Sequence, residues 1–262
     1  SPVTLTGDRV EFSASGAAVR SSGSLTVQPS STSSSSDFSW PMTNLGLSAD
    51  ISGLTLGKAG NTRKITVTTA TTIAGAIDLY GGQVAIDAPL TATGSTIRIN
   101  ASGTVTDGAS GSVQAANLVL NGGSVTLDSA SNAVGTLAAT GVSALTYRDT
   151  DALTLGSVAP VRGIGATVSG ISATGIVDIA TRTGDLTLAA NAATTLGGAT
   201  ALTLNAGQTA SPGTATGGNL IISGSPTVSV GSGGTARLFS GSVAGSTGLT
   251  SLVGSGSGRF RY

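Results

Sequence analysis

Cysteine and histidine are both absent from this 262-residue chain. Without cysteine there is no disulfide framework and no thiolate metal site, and without histidine the commonest general base and transition-metal ligand is gone. Ser-His-Asp and Cys-His groupings are excluded with them. Aromatic residues make up only 3% of the chain and charged residues 9%, against roughly 25% charged in ordinary globular domains. Any core must therefore be aliphatic. The net charge is zero, with 12 Lys plus Arg against 12 Asp plus Glu, which leaves no electrostatic footprint for nucleic acid or an anionic membrane. No apolar run approaches the roughly 20 residues of a membrane-spanning helix, and the opening SPVTLTGD lacks the charged-then-apolar order of a signal segment. The expectation is a soluble, mature or excised piece that neither binds nucleic acid nor inserts into a membrane. It is also expected not to be an enzyme and to carry no cofactor.

What is present is Gly, Ser, Thr and Ala, interrupted along nearly the whole length by alternating pairs of Val, Leu and Ile. Disordered chains lack such pairs. Three segments align without a gap: IDLYGGQVAID from Ile77, IRINASGTVTD from Ile97 and LVLNGGSVTLD from Leu118. Their starts are 20 and 21 residues apart, inside the range that marks solenoids and arrays. In each, the first and third residues are aliphatic (Ile77 and Leu79, Ile97 and Ile99, Leu118 and Leu120) and are expected to point inward. Asp78, Arg98 and Val119 are expected to point out. A small-residue turn follows and then a second strand, so each phrase reads as a bent ribbon. One such coil gains about 10 kcal/mol from burial, while ordering its backbone costs about 20 to 40 kcal/mol, so coils must stack to persist. The fold expected is all-β: a right-handed parallel β-helix, or β-solenoid, with coils of about 20 residues, its handedness resting on the crossover rule. A dozen such coils would make a rod about 60 Å long.

Residues 1–262 are read as a single β-helix segment of a longer fibre, with residues 28–44 leaving it as a loop excursion. That excursion carries a serine run followed by Phe38 and the only tryptophan, Trp40. The two aromatics are expected either to fold back as a lid over the coils or to form a sugar-stacking platform. With Tyr147 they are the candidate ligand contacts. Asp87, Asp107 and Asp128 close the three aligned phrases, either as a carboxylate ladder able to hold Ca²⁺ or shape a polysaccharide-cleaving cleft, or as solvated turn residues. Asn100 and Asn121 share one position and suggest an asparagine ladder that satisfies turn amides, from which Tyr80 departs. GLTLGKA (53–59) lacks one residue and the terminal hydroxyl of a phosphate loop. TYRDTD (146–151) reads as an exposed loop, with a small metal or anion site as the alternative.

The run ADISGLTLGKAGNTRKITVTTATTIAGAIDLYGGQVAI, with LTATGSTIRINASGTVTDGA and LVLNGGSVTLDSA after it, resembles the repeat region of large filamentous haemagglutinin-like exoproteins of Gram-negative bacteria. The closing SGRFRY looks like the lead-in to a further module of such proteins. The resemblance implies a long right-handed β-helical fibre, exported by two-partner secretion through an outer-membrane pore, secreted or held at the bacterial cell surface, and acting in adhesion or aggregation. Its implied partners are that pore during export, a host-cell or glycan receptor, and other copies of itself. The absence of cysteine agrees with export of an unfolded chain. Alternatives from other classes are a β-helical polysaccharide lyase or hydrolase and a carbohydrate-binding module built on Phe38, Trp40 or Tyr147.

Overall fold

The computed structural model describes residues 1–12, 17–48, 50–211 and 217–253. The SGRFRY terminus lies outside them. Among the described residues the regular secondary structure is nearly all strand, with one short helix, Leu249–Val253. Most of the strands form one 14-stranded and one 9-stranded sheet, which the chain visits in alternation, and the rest form two two-stranded sheets. The first runs from Val3–Thr6 through Ser24–Gln28, Gly53–Leu56, Ala76–Gly81, Pro89–Ala101, Ser112–Asn121 and Ala133–Val142 to Leu153–Leu155, Leu186–Leu188 and Leu220–Ile222. The second includes Phe38–Trp40, Ile65–Val67, Val84–Ile86, Thr104–Asp107, Ser124–Leu127, Ala144–Asp149 and Val177–Thr181. Every pairing within these two sheets is parallel, which is consistent with a β-solenoid.

The aligned phrases lie in register as read from the sequence. Ile77 pairs with Ile97, Ile97 with Leu118 and Leu118 with Leu137, while Val84 pairs with Val105 and Val105 with Val125. Like aliphatic residues therefore stack upon one another between the sheets. Leu25, Leu54, Ile77, Ile97, Leu118, Leu137, Leu155, Leu186 and Leu220 are all fully buried in one continuous core. Burying each contributes about 1.5 to 3 kcal/mol. The polar ladder is also present: Asn121 donates to the Asn100 side-chain carbonyl at 2.7 Å, and Asn100 donates to the Leu79 carbonyl at 3.4 Å.

Three local expectations need correction. First, residues 28–44 are not one loop, because Phe38–Trp40 is a strand of the second sheet, paired with Ile65–Val67. The serine run before it lies against neighbouring turns, with Ser31 donating to Asp8 and Ser33 to Asn61. Second, Ala144–Asp149, inside TYRDTD and just before it, is a strand rather than an exposed loop. Third, Asp78, Arg98 and Val119 do face away from the core, as the alternation requires, yet all three are buried.

The cover is a strap formed by residues 156–170, which leaves the coil after Leu153–Leu155 and rejoins it before Ile171–Ala173. It begins and ends as an antiparallel pair, Ser157–Val158 with Val168–Ser169. Val158 and Val168 pack with Val119 and Ala138 in a second, smaller apolar cluster. Further along, Ala166 receives a hydrogen bond from Arg98, and Arg162 reaches Thr55 and Asp78. The strap thus runs back across the outer face over strands from Ala133–Val142 to Gly53–Leu56. Two glycines permit this close approach: a Cβ on Gly53 would lie 2.4 Å from Arg162, and one on Gly165, whose φ is 79°, would lie 2.9 Å from Arg98.

Candidate functional site

The three aromatic candidates have different fates. Trp40 pairs with Val67 and is completely buried in the aliphatic core, and its indole N–H has no partner among the described residues. Tyr147 is also completely buried, because it occupies the inward position held by Leu127 and Ile179 on the adjacent strands. Its hydroxyl donates to Asp149 at 2.7 Å. Neither ring is presented to a ligand, and both are withdrawn as ligand contacts. Phe38 is half-buried and lines a cavity of about 810 Å³ with Asp8, Glu11, Asp37 and Met42. The structure does not bring the three together in one site.

Asp149 is a buried carboxylate that accepts from the Tyr147 hydroxyl, from the Val134 N–H at 2.9 Å and from the Asp151 N–H at 3.2 Å. Burial pushes its pKa up to about 7, outweighing the lowering from these donors. Burial and the neighbouring Asp149 carboxylate push the Tyr147 phenol well above its ordinary value. Arg148 points the other way and forms an ion pair with Asp178 at 2.5 Å.

The aspartates that close the aligned phrases do not act alike. Asp87 and Asp128 are exposed. Asp107 accepts from the N–H groups of Asp128 and Ser129, both at 3.0 Å, and from the Asn132 amide at 2.9 Å. Asn132, fully buried, in turn accepts from the Val113 N–H at 2.7 Å. The Asp107 carboxylate is therefore engaged in joining adjacent turns. Among the described residues no group of three or more His, Cys, Asp and Glu is arranged to hold a metal ion.

Beneath the strap lies a charge cluster not foreseen from the sequence. Arg162 donates to Asp78 at 2.6 Å, and the Arg98 guanidinium stands 3.9 Å from the same carboxylate. Burial raises the Asp78 pKa, while Arg162 and Arg98 oppose that rise. Two cations thus share one buried anion, and one Arg98 nitrogen has no partner among the described residues. Two residues along the same face, Tyr80, Asn100 and Asn121 form a parallel row that remains partly open. With Lys58 they line a groove of about 400 Å³. The departure of Tyr80 from the asparagine pattern was the available signal for this groove. GLTLGKA supplies the strand Gly53–Leu56 and, just beyond it, Lys58, whose ammonium donates to the Ser30 carbonyl at 3.2 Å. Comparison of the chain with protein-family models, curated proteins and solved structures finds no match to any of them.

Proposed function

We propose that the chain is a structural segment of a secreted or surface-exposed bacterial adhesin, a right-handed parallel β-helix that contributes to cell adhesion or aggregation. The observation that carries the reading is the unbroken aliphatic stack from Leu25 to Leu220 between two parallel sheets. Such a stack gives a chain reach and rigidity without a closed globular core, the property required of a stalk. The right-handed sense rests on the crossover preference of parallel strands. Export through an outer-membrane pore and a host-cell or glycan receptor belong to the same reading, which rests further on the sequence resemblance. The lyase or hydrolase alternative gains no support from Asp78 and Arg98, which the strap covers, or from Arg162, which the strap itself supplies and which is paired to Asp78. The binding-module alternative loses Trp40 and Tyr147 to the core.

The test is made in the bacterium that encodes the chain. Antiserum against the purified chain should label intact, unpermeabilised cells or the culture medium, and in-frame deletion of the segment should reduce adhesion or autoaggregation. Label confined to the cell interior overturns the proposal.

A further inference from the structure

We infer that a small monovalent inorganic anion of the chloride class binds at the Arg98 guanidinium beneath the strap. Such a site serves the fold, whether or not the chain is an adhesin.

Arg98 is an interior cation, its side chain only 3% exposed. Asp78 lies beside it on one neighbouring strand and Val119 on the other. The Asp78 carboxylate stands 3.9 Å away, beyond hydrogen-bond distance, and accepts instead from Arg162 at 2.6 Å. From the strap, the Ala166 carbonyl accepts from Arg98 in a long bond of 3.4 Å. The other terminal nitrogen of Arg98 has no partner among the described residues. Val119 packs with Ala138, Val158 and Val168, so the far side is apolar and its side chains offer no acceptor. The charge count also sets this place apart. Arg9 and Arg148 pair one to one with Glu11 and Asp178, whereas Arg98 and Arg162 share Asp78, the only carboxylate among the described residues in ion-pair contact with either.

A buried charge without a counter-charge costs far more than a buried neutral group, and one carboxylate cannot balance two guanidinium ions. Water accepts from the free N–H groups but leaves the net positive charge in place. A monovalent anion does both. Its size follows from the cover: Gly165 sits so close above the guanidinium that a Cβ there would lie 2.9 Å from Arg98, and the apolar cluster closes one flank. A sugar, a phosphate ester or a peptide carboxylate has no route to so covered a side chain, whereas a halide is little larger than water.

The experiment compares melting temperatures of the full chain in sodium chloride and in sodium gluconate at equal ionic strength, which matches general screening and offers an anion too large to enter. With chloride at about ten times its dissociation constant, melting should come about 3 °C higher than in gluconate. Bromide should substitute for chloride, and crystals grown in bromide should show its anomalous signal in contact with Arg98. Arg98→Met keeps an apolar stem, leaves Asp78 and Arg162 matched one to one, and should abolish the chloride advantage. Lys58→Gln removes a cation away from the strap and should preserve it. Equal melting in the two salts overturns the inference and leaves water as the partner of Arg98. A chloride advantage that survives in Arg98→Met overturns it by placing the anion elsewhere, and a bromide signal without a chloride advantage marks an adventitious ion only. Should Arg98→Met fail to fold, the bromide map of the parent chain decides, and no signal at Arg98 overturns the inference.

Discussion

Asp149 ties the chemistry of a single residue to pH. Its folded-state pKa of about 7 stands above the ordinary 3.8, so between these values the folded chain binds more protons than the unfolded chain. Its contribution to stability is fully present below about pH 4 and is lost as pH rises through 7. Melting temperature should therefore fall between pH 5 and pH 8, and Asp149→Asn should flatten that slope. A slope of the same size in the variant would assign the pH dependence to another group. Asp107 differs from its exposed neighbours because it accepts three hydrogen bonds. Asp107→Ala should cost about 1 to 3 kcal/mol in denaturant unfolding, while Asp87→Asn and Asp128→Asn should remain within about 0.5 kcal/mol of the parent chain. At this scale the sequence is partly legible. Leu145 and Tyr147 repeat the inward spacing of Val125 and Leu127, so alternation alone could have placed the tyrosine in the core. Its polar neighbours Arg148, Asp149 and Asp151 drew the reading toward a loop.

The stacked strands were the most readable elements, because strands paired in parallel with like residues in register repeat one burial pattern from strand to strand. Leu120 illustrates this: it is inward in the sequence pattern and buried between Ile99 and Ala139 in the sheet. Leu120→Asp would place an unpaired charge there, and a loss of at least about 4 kcal/mol, read as collapse of the circular-dichroism melt, is the expected outcome. The strap was not readable. Val158, Ile164 and Val168 belong to no repeat, and contacts such as Arg162 with Asp78 join positions that no local pattern relates. Arg162→Ala would leave Asp78 buried with only the more distant Arg98. Partial exposure of the Arg162 side chain tempers the cost to about 2 kcal/mol. Limited proteolysis should then cut within 156–170 faster than in the parent chain; equal rates would show that apolar packing alone holds the strap down.

For the whole molecule, parallel stacking predicts an elongated particle in small-angle X-ray scattering, with a long dimension on the order of 60 Å. A compact, near-spherical profile would contradict the stacked arrangement. Among the described residues the strand Val3–Thr6 pairs with Ser24–Gln28, while at the other end Leu249 of the short helix is buried against the core. The strap also gives the molecule a sense of time. In a simple array each coil depends only on its neighbours, and ordering can begin anywhere and spread. Arg162, however, can clasp Asp78 only after the intervening strands have assembled in the right register. The clasp is thus a late event that inspects earlier ones. Once it closes, the block from Gly53 to Ala173 should exchange its amide hydrogens as one cooperative unit, whereas coils beyond Leu186 remain free to open singly.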